Sequence, residues 1–402
     1  MNDKTPSIRF KGFTDDWEQR KFGDGMDLLT GFPFESEKFS DNGINLIRGM
    51  NVKRGYLDLS DSLCMKWKSS EGLEKYLLEK EDILIQMDGA LIGKSYAKIK
   101  ESQLPALLVQ RVTRARPIPE ESNSNFMYQT IQRDFLKYII LNKTDSAVPH
   151  LSLNDIREFP IRVPNLLEQK KIGSIFTKLD NLITLHQRKC DVLIHVKKSM
   201  LEKMFPKNGK KVPEIRFEGF TDDWEQRKLG DVFKEYSEKN HPELPTLTII
   251  QGGGTVKRED SDRSLMYDKS NLSNYKMVRK NDFVVHLRSF EGGLEKSSLN
   301  GVISPAYHTF HSDEADSRFY YPYFRSHEFI KHKLVPHVYG IRDGRSIDIE
   351  GMKTIEIPYT SLKEQRAIGD YLDILDSLIT LHQRKLEKLQ NIKKSMLEKM
   401  FI

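Results

Sequence analysis

The amino-acid sequence predicts an α/β (α+β) protein in which two α/β domains alternate with two long, antiparallel coiled-coil helices. A helical segment occurs twice, as LDNLITLHQRKCDVLIHVKKSMLEKMF at 179–205 and LDSLITLHQRKLEKLQNIKKSMLEKMF at 375–401. A second repeat precedes each domain, as IRFKGFTDDWEQRKFGD at 8–24 and IRFEGFTDDWEQRKLGD at 215–231. The sequences between these repeats are unlike. The chain is therefore a tandem duplication with internal pseudo-two-fold symmetry, and two units are too few for a solenoid.

Each copy of the helical segment predicts one long helix with a coiled-coil seam, because its apolar residues recur at steps of three and four. A capping residue followed three positions later by glutamate opens both copies, as Asn165 with Glu168 and Ser361 with Glu364. About 40 residues at a 1.5 Å rise make a rod of about 60 Å. Two such rods in one chain are expected to bury their seams against each other.

These features divide the chain into five segments. We expect a first domain, a first spacer helix, a linker, a second domain and a second spacer helix, at 1–165, 166–205, 206–214, 215–361 and 362–402. Both domains show strand and glycine-turn signals, then a helical stretch at 125–143 or 317–335, and then a short strand. This order predicts a curved, mostly antiparallel sheet in each domain.

Composition narrows the class of protein. The chain has 402 residues and a formal net charge of +6, which suits at least two globular domains and permits nucleic-acid binding without demanding it. No apolar run is long enough for a membrane span, and the first residues lack a signal-peptide core. Cys64 and Cys190 have no zinc-type spacing. The expected location is the cytoplasm, and no metal ligands are expected.

Several motifs now resemble one known family, the specificity (S) subunits of Type I restriction–modification systems. The resemblance covers nearly the whole chain and depends on the duplicated order of its motifs more than on any single one. The motifs are EDILIQMDGALIGK, TDSAVPHLSLNDI and EQKKI in the first half and KNDFVVHLRSFEGG, GVISPAYHTF and EQRAI in the second.

The resemblance implies a DNA-binding subunit with no catalytic activity of its own. Each α/β domain would be a target-recognition domain that reads one half of a bipartite, asymmetric double-stranded DNA site, and the helices would set the spacer. Methyltransferase (M) subunits, two in number, would dock on the helices and modify adenine, and restriction (R) subunits would cleave DNA. No cofactor is expected in this chain, because S-adenosylmethionine, ATP and magnesium would bind to the partner subunits.

Candidate DNA contacts follow from the chemistry of base and phosphate recognition. Arg or Lys suits guanine and Asn or Gln suits adenine, whereas phosphates are held by Lys, Arg, Ser and backbone amides near glycine turns. Such residues cluster at strand–turn segments of both domains. They are Gln86, Lys94, Ser95, Arg111 and Arg114 in the first domain and His286, Arg288, Ser289, Tyr307, His308, Arg342 and Arg345 in the second.

Other functions leave weaker marks in the sequence. The glycines at 252–254 follow a strand-like run but lack the Lys-Ser/Thr of a phosphate loop, so a turn is expected. Asp88, Gly89 and Lys94 are expected in a hairpin turn with a DNA-facing lysine, not in a metal site. Two alternatives stay open: a fused endonuclease or methyltransferase with an unrecognised active site, and a duplicated scaffold that binds protein or RNA.

Two pairs of repeated residues have structural interpretations. Trp17 and Trp224 are expected to be packing anchors for the N-terminal repeats, not base-stacking platforms. Gly173 and Gly369 occupy corresponding places in the first turns of the long helices, where glycine costs about 1 kcal/mol relative to alanine. Either a close approach of another element or a kink would account for them.

Overall fold

The computed structural model describes residues 5–142, 150–207, 210–261, 269–286, 293–339 and 346–402. The chain divides into two units, one formed by Met1–His186 with Arg384–Ile402 and the other by Gln187–Gln383. Each unit therefore contains one α/β domain, the first half of the long helix that follows it, and the second half of the other long helix.

The first unit is built on antiparallel strands. The described strands are β1 (Glu18–Lys21), β2 (Met26–Thr30), β3 (Ile44–Ile47), β4 (Lys66–Trp67), β5 (Ile83–Gln86), β6 (Tyr96–Lys98), β7 (Ala106–Leu108), β8 (Val112–Pro117) and β9 (Pro160–Val163). They form a four-stranded sheet in the order β2-β8-β5-β6, a three-stranded sheet β4-β3-β7, and the pair β1-β9. Only β3 and β7 are parallel among the strand pairs described in this unit.

The helices of this half of the chain are α1 (Ser124–Thr130), α2 (Leu136–Asn142), α3 (Leu153–Arg157) and α4 (Leu166–Lys203). One π turn, Ile131–Phe135, joins α1 to α2. The helical stretch predicted at 125–143 is therefore confirmed as α1 and α2. Asn123 caps α1, since its side chain accepts a hydrogen bond from the Phe126 amide.

The second unit repeats the principal sheet with different residues. Its strands are β10 (Glu225–Lys228), β11 (Lys234–Tyr236), β12 (Leu247–Ile250), β13 (Gly254–Lys257), β14 (Lys276–Val278), β15 (Phe283–His286), β16 (Glu295–Lys296), β17 (Gly301–Ile303), β18 (Tyr307–His311), β19 (Val338–Tyr339), β20 (Ser346–Ile347) and β21 (Glu356–Tyr359). The four-stranded sheet has the order β11-β18-β15-β16, matching β2-β8-β5-β6. The prediction of mostly antiparallel sheets is confirmed.

The remaining helices are α5 (Leu229–Val232), α6 (Ser317–Phe324), α7 (Ile349–Lys353) and α8 (Leu362–Lys399). The predicted helical stretch at 317–335 forms α6, which contains Pro322, and a π turn over Phe329–Leu334. Within the described ranges, no helix combines the length and the apolar character that crossing a membrane requires.

The N-terminal repeats form the strands that lead into the long helices. In each repeat the residues EQRK form a strand, β1 or β10, which pairs with β9 or β21 immediately before α4 or α8. A buried ion pair reinforces this arrangement in both units. Arg9 donates to both carboxylate oxygens of Glu168 at 2.8 Å, and Arg216 donates to those of Glu364 at 2.7 and 2.9 Å. These hydrogen bonds raise the pKa of both arginines.

The predicted caps of the long helices form. The amide of Glu168 donates to Asn165 Oδ1 at 3.0 Å, and the amide of Glu364 donates to Ser361 Oγ at 3.3 Å. The glutamate side chains serve the arginine pairs described above. One motif therefore starts the helix and ties it to the N-terminal repeat.

The tryptophans of the repeats are packing anchors, as predicted. Trp17 is buried and makes edge contacts with Phe126 and with Phe401, the residue that follows α8 by two positions. In the second unit Trp224 is buried and makes edge contacts with Phe319 and with Phe205, the residue that follows α4 by two positions. Each long helix therefore ends in the core of the unit to which its second half belongs.

The helix halves are antiparallel within each unit. In the first unit Phe176 lies 5.7 Å from Phe401 between ring centroids, whereas Asp180, one turn later, binds Lys393 at 2.7 Å. Along α4 the residue numbers rise while the numbers of their contact partners on the C-terminal side of α8 fall, so the two helix halves run antiparallel. In the second unit an ion pair joins Lys197 of α4 to Asp376 of α8.

The glycines in the long helices allow a close approach of the domain helices. A Cβ atom at Gly173 would lie 2.5 Å from Asn123 Oδ1, and one at Gly369 would lie 3.1 Å from Arg318 Cβ. Glutamines four residues earlier hold the same elements. Gln169 accepts from the Asn123 amide at 3.0 Å, and Gln365 accepts equivalently at the N-cap of α6 at 2.9 Å. Of the two explanations left open above, close approach is the one the structure supports.

Candidate nucleic-acid interface

Three candidate contacts of the first domain lie near the ends of the central strands β5 and β8. Gln86 ends β5 and is half-buried, Lys94 is exposed in the turn between β5 and β6, and Arg111 is exposed in the turn before β8. Ser95 and Arg114 lie inside the domain, with exposed fractions of 2% and 6%. DNA contact by these five residues stays a prediction, and the burial of the last two does not favour it.

Arg114 has a partner within the domain. Its guanidinium bonds to Asp27 on the neighbouring strand β2. Burial lowers the pKa of Arg114. The hairpin expected around Asp88 and Lys94 is confirmed, because β5 and β6 pair antiparallel across that turn.

The carboxylate of Asp88, which the sequence analysis placed only in a turn, organises the exposed end of this sheet. Asp88 accepts from Arg111 Nη1 through one oxygen and bonds to the imidazole Nδ1 of His150 through the other. Gln86 Nε2 donates to the backbone oxygen of Asp88 at 2.7 Å. Burial acts to raise the pKa of Asp88, but the bonds from His150 and Arg111 outweigh it, and the pKa lies below its ordinary value.

The candidates of the second domain are only partly described. Tyr307 and His308 begin β18 and are half-buried, and His286 ends β15. His308 Nδ1 bonds to Glu235 on the neighbouring strand, and burial raises the pKa of Tyr307. Four further candidates lie outside the described residues: Arg288, Ser289, Arg342 and Arg345. The DNA contacts of this domain stay predictions.

A buried aspartate occupies equivalent positions in the two sheets, but its partner is an arginine in the first sheet and a histidine in the second. Asp82 precedes β5 and binds Arg116 of β8 through two bonds of 2.8 Å. Asp282 precedes β15 and binds His311 of β18. Arg116 and His311 occupy equivalent positions in the two sheets. Each comes directly after the residue that pairs with the first residue of the neighbouring strand, which is β5 in the first sheet and β15 in the second.

The aspartate pairs have different responses to pH. The bond to Asp82 raises the pKa of Arg116, which stays charged at any ordinary pH. Burial lowers the pKa of His311, but its bonds to Asp282 and Asp313 outweigh this effect and place the pKa above its ordinary value. The second domain therefore contains a titratable group where the first contains a permanent charge.

The glycine run at 252–254 forms the predicted turn, between β12 and β13. The buried carboxylate of Glu295 accepts from the amides of Gly252 and Gly254 at 2.7 and 3.0 Å. Those are the amides that a phosphate would need, so the turn is filled by the protein's own carboxylate. Elsewhere in the described part of the chain, no three His, Cys, Asp or Glu side chains are grouped as metal ligands.

The long helices carry a repeated pair of exposed leucines. Leu182 and Leu185 on α4 lie in the first unit, and their counterparts Leu378 and Leu381 on α8 lie in the second. Both pairs come from the identical segment LITLHQRK. The two units therefore expose the same apolar side chains at corresponding places on the long helices.

Comparison with protein families matches residues 14–194 and 221–391 to the Type I restriction modification DNA specificity domain. Because these two matches cover most of the chain, the protein belongs to this family, and it is a DNA-recognition subunit of a Type I restriction–modification system.

Individual relatives agree with the family assignment. The EcoAI specificity subunit of Escherichia coli is 31% identical over 175 residues, a match that covers 42% of this chain but only 28% of that protein. The MjaVIII specificity subunit of Methanocaldococcus jannaschii is 24% identical over 405 residues, covering 95% of this chain and 91% of that protein. The solved structure of the S subunit from M. genitalium has the same fold, with a TM-score of 0.63, 15% identity and 99% coverage of both chains.

Proposed function

We propose that the two domains read unlike halves of a bipartite, asymmetric double-stranded DNA site, with the long helices setting the spacer between the halves. The observation that carries this proposal is one sheet topology built twice with different side chains at equivalent positions. In the strand register Gln86 pairs with Val112 across β5 and β8, whereas His286 pairs with Tyr307 at the same place in the second sheet. Like domains would suit a palindrome, so unlike domains suit unlike half-sites.

Mapping of methylated adenines tests this proposal. A host that expresses the full chain with its M subunits should carry methylation at one motif, formed by two different short sequences separated by a fixed spacer. The same host without the chain is the control and should lack that methylation. A palindromic motif, or methylation that does not depend on the chain, would contradict the proposal.

The chain itself is proposed to be non-catalytic, with two M subunits docked on the leucine pairs of α4 and α8 and with R subunits joining the complex. Support for two M subunits comes from the repetition of an identical exposed leucine pair, one in each unit. S-adenosylmethionine, ATP and magnesium would then bind to the partners. We also propose a cytoplasmic location, where the DNA target lies and where the free thiols of Cys64 and Cys190 would stay reduced.

Mass measurement of the assembled complex tests the docking sites. Leu182→Glu and Leu378→Glu should each reduce the number of bound M subunits from two to one, and the double variant should bind none. Val192→Glu is the matched control, because Val192 is exposed on α4 but has lysine as its counterpart on α8. Two bound M subunits in the double variant would show that docking occurs elsewhere.

A further inference from the structure

Two exposed side chains of the first domain share the carboxylate of Asp88. Arg111 Nη1 donates to Oδ2 at 2.5 Å, and the Nδ1 of His150 bonds to Oδ1. The side chains of Arg111 and His150 are 63% and 54% exposed, whereas Asp88 is 25% exposed and lies behind them. The carboxylate therefore orients two groups that face outward.

The backbone fixes the members of this cluster independently of their side chains. Asp88 and His150 form an antiparallel bridge, next to which the Leu151 amide donates to the Met87 oxygen at 2.7 Å. The Met87 amide donates to the Arg111 oxygen at 3.0 Å. Arg111 has a φ of 71°, a left-handed conformation that is uncommon for residues other than glycine. Three separate segments of chain are thus tied together at one point.

The cluster presents a hydrogen-bond donor beside an acceptor. Arg111 keeps donors that are unused among the described residues, because only its Nη1 is bonded. A neutral imidazole that donates Nδ1–H to a carboxylate has an acceptor at Nε2. Binding of Nδ1 by Asp88 selects this tautomer. Prior fixation of both side chains also reduces the entropy lost when a ligand binds.

This pattern suits a base edge better than a phosphate. A phosphate offers only acceptors, so it would not satisfy His150 Nε2, and the Asp88 carboxylate would repel it. In the major groove, guanine offers two acceptors to arginine, and cytosine or adenine offers an amino donor. Lys94, exposed on the same hairpin without a carboxylate partner among the described residues, has the simpler chemistry of a phosphate contact.

We propose that Asp88 is a positioning residue that holds Arg111 and His150 as a donor–acceptor pair for the major-groove edge of neighbouring bases in one half-site. The inference depends on the proposed DNA-reading function and assigns His150, which the sequence analysis did not identify as a contact. Arg111 would bind guanine, and His150 would accept from the amino group of an adjacent cytosine or adenine. Asp88 would touch neither base.

Selection from a randomised duplex library tests the proposal, with the full chain assembled with its M subunits. Asp88→Asn and His150→Ala should each lower the preference for the selected base by about ten-fold at one or two adjacent positions, the usual worth of a good base contact. The change should be confined to one half-site. Arg111→Lys, which keeps the charge but loses the planar fork, should change the preference at the guanine only.

Lys94→Ala is the matched control and should weaken binding to all sequences alike, with a smaller salt dependence. The unaltered half-site shows that each variant is folded, and His150 and Arg111 are exposed, so their replacement should not affect folding. Unchanged base preferences in Asp88→Asn and His150→Ala, or a uniform weakening like that of Lys94→Ala, would overturn the inference. Failure of the unsubstituted complex to select a bipartite motif would instead overturn the proposed function.

Discussion

Replacement of glycine by alanine at position 173 or 369 adds one methyl group where a domain helix approaches a long helix, and the two replacements should differ in their effect on stability. At Gly173 a Cβ atom would lie 2.5 Å from Asn123 Oδ1 and 3.1 Å from the Phe126 amide nitrogen. These are the two atoms of the hydrogen bond that caps α1. At Gly369 the nearest atoms would lie at 3.1 Å, on a side chain, and at 3.4 Å. The first site cannot accept the methyl without moving the cap, whereas the second needs only a small shift.

The expected free energies follow from three opposing effects. Alanine in place of helical glycine stabilises by about 1 kcal/mol. Overpacking costs about 1–3 kcal/mol, and a displaced N-cap costs about 1 kcal/mol more. Gly173→Ala should therefore lower the free energy of unfolding by about 1–3 kcal/mol. Gly369→Ala should change it by less than about 0.5 kcal/mol, because the helix-propensity gain offsets the tighter contact.

Differential scanning calorimetry of the full chain measures both effects. For a unit of this size the transition temperature should fall by about 2–4 °C for each kcal/mol lost. Ser174→Ala, at the exposed neighbouring position, is the control and should be nearly neutral. If Gly173→Ala is as stable as the unsubstituted chain, or if Gly369→Ala is the more damaging change, the proposed docking of α1 on α4 is wrong.

Three further predictions concern the repeated framework. Because the folded-state pKa of His311 is raised, its stabilisation is complete below the ordinary value of about 6.5 and is lost as the pH rises through the folded-state value. Thermal unfolding should show this loss, and His311→Arg should abolish it; a variant that keeps the pH dependence would assign it to another group. Removal of a buried carboxylate from its arginine costs about 3–5 kcal/mol, so both Glu168→Ala and Glu364→Ala should be strongly destabilising in urea titrations. The second should cost more, since a tryptophan and a threonine also donate to that carboxylate; equal losses would show that these extra bonds contribute nothing. A chain limited to residues 1–206 should dimerise through its helix and select a palindrome, and Phe205→Ala should weaken the dimer in sedimentation experiments; a monomeric half-chain would contradict this.

Repetition made the framework predictable from the sequence. Two copies of one motif identify the long helices and their caps, because Asn165 and Ser361 precede glutamate at the same spacing. Trp17 and Trp224 are predictable as anchors for a related reason, since identical residues beside unlike domains cannot carry different specificities. Strand and turn signals were likewise sufficient to predict antiparallel sheets.

The candidate interface was less predictable, because its contacts join distant parts of the chain. Asp88 and His150 come together through an isolated β-bridge between distant segments, and no local sequence pattern predicts such a bridge. The motif TDSAVPHLSLNDI contained that histidine, and it was the only available signal. The burial of Arg114 was not predictable for another reason. The first four residues of β8 are all buried, so alternation between an exposed and a buried face does not hold there.

Phe401 has a consequence for the order in which the protein folds. It packs against Phe126 and Phe176 in the first unit, although a ribosome reaches it only after making the entire second domain. Domains generally fold as they emerge, N-terminal first. Here the aromatic rings that Phe401 contacts in the first domain stay uncovered until the last turns of α8 have been synthesised. During that interval Phe205 of a neighbouring nascent chain can take the place of Phe401, because both residues end copies of the same repeated segment. The domain translated first is therefore the one completed last, and polysomes are where exchanged pairs of chains should form.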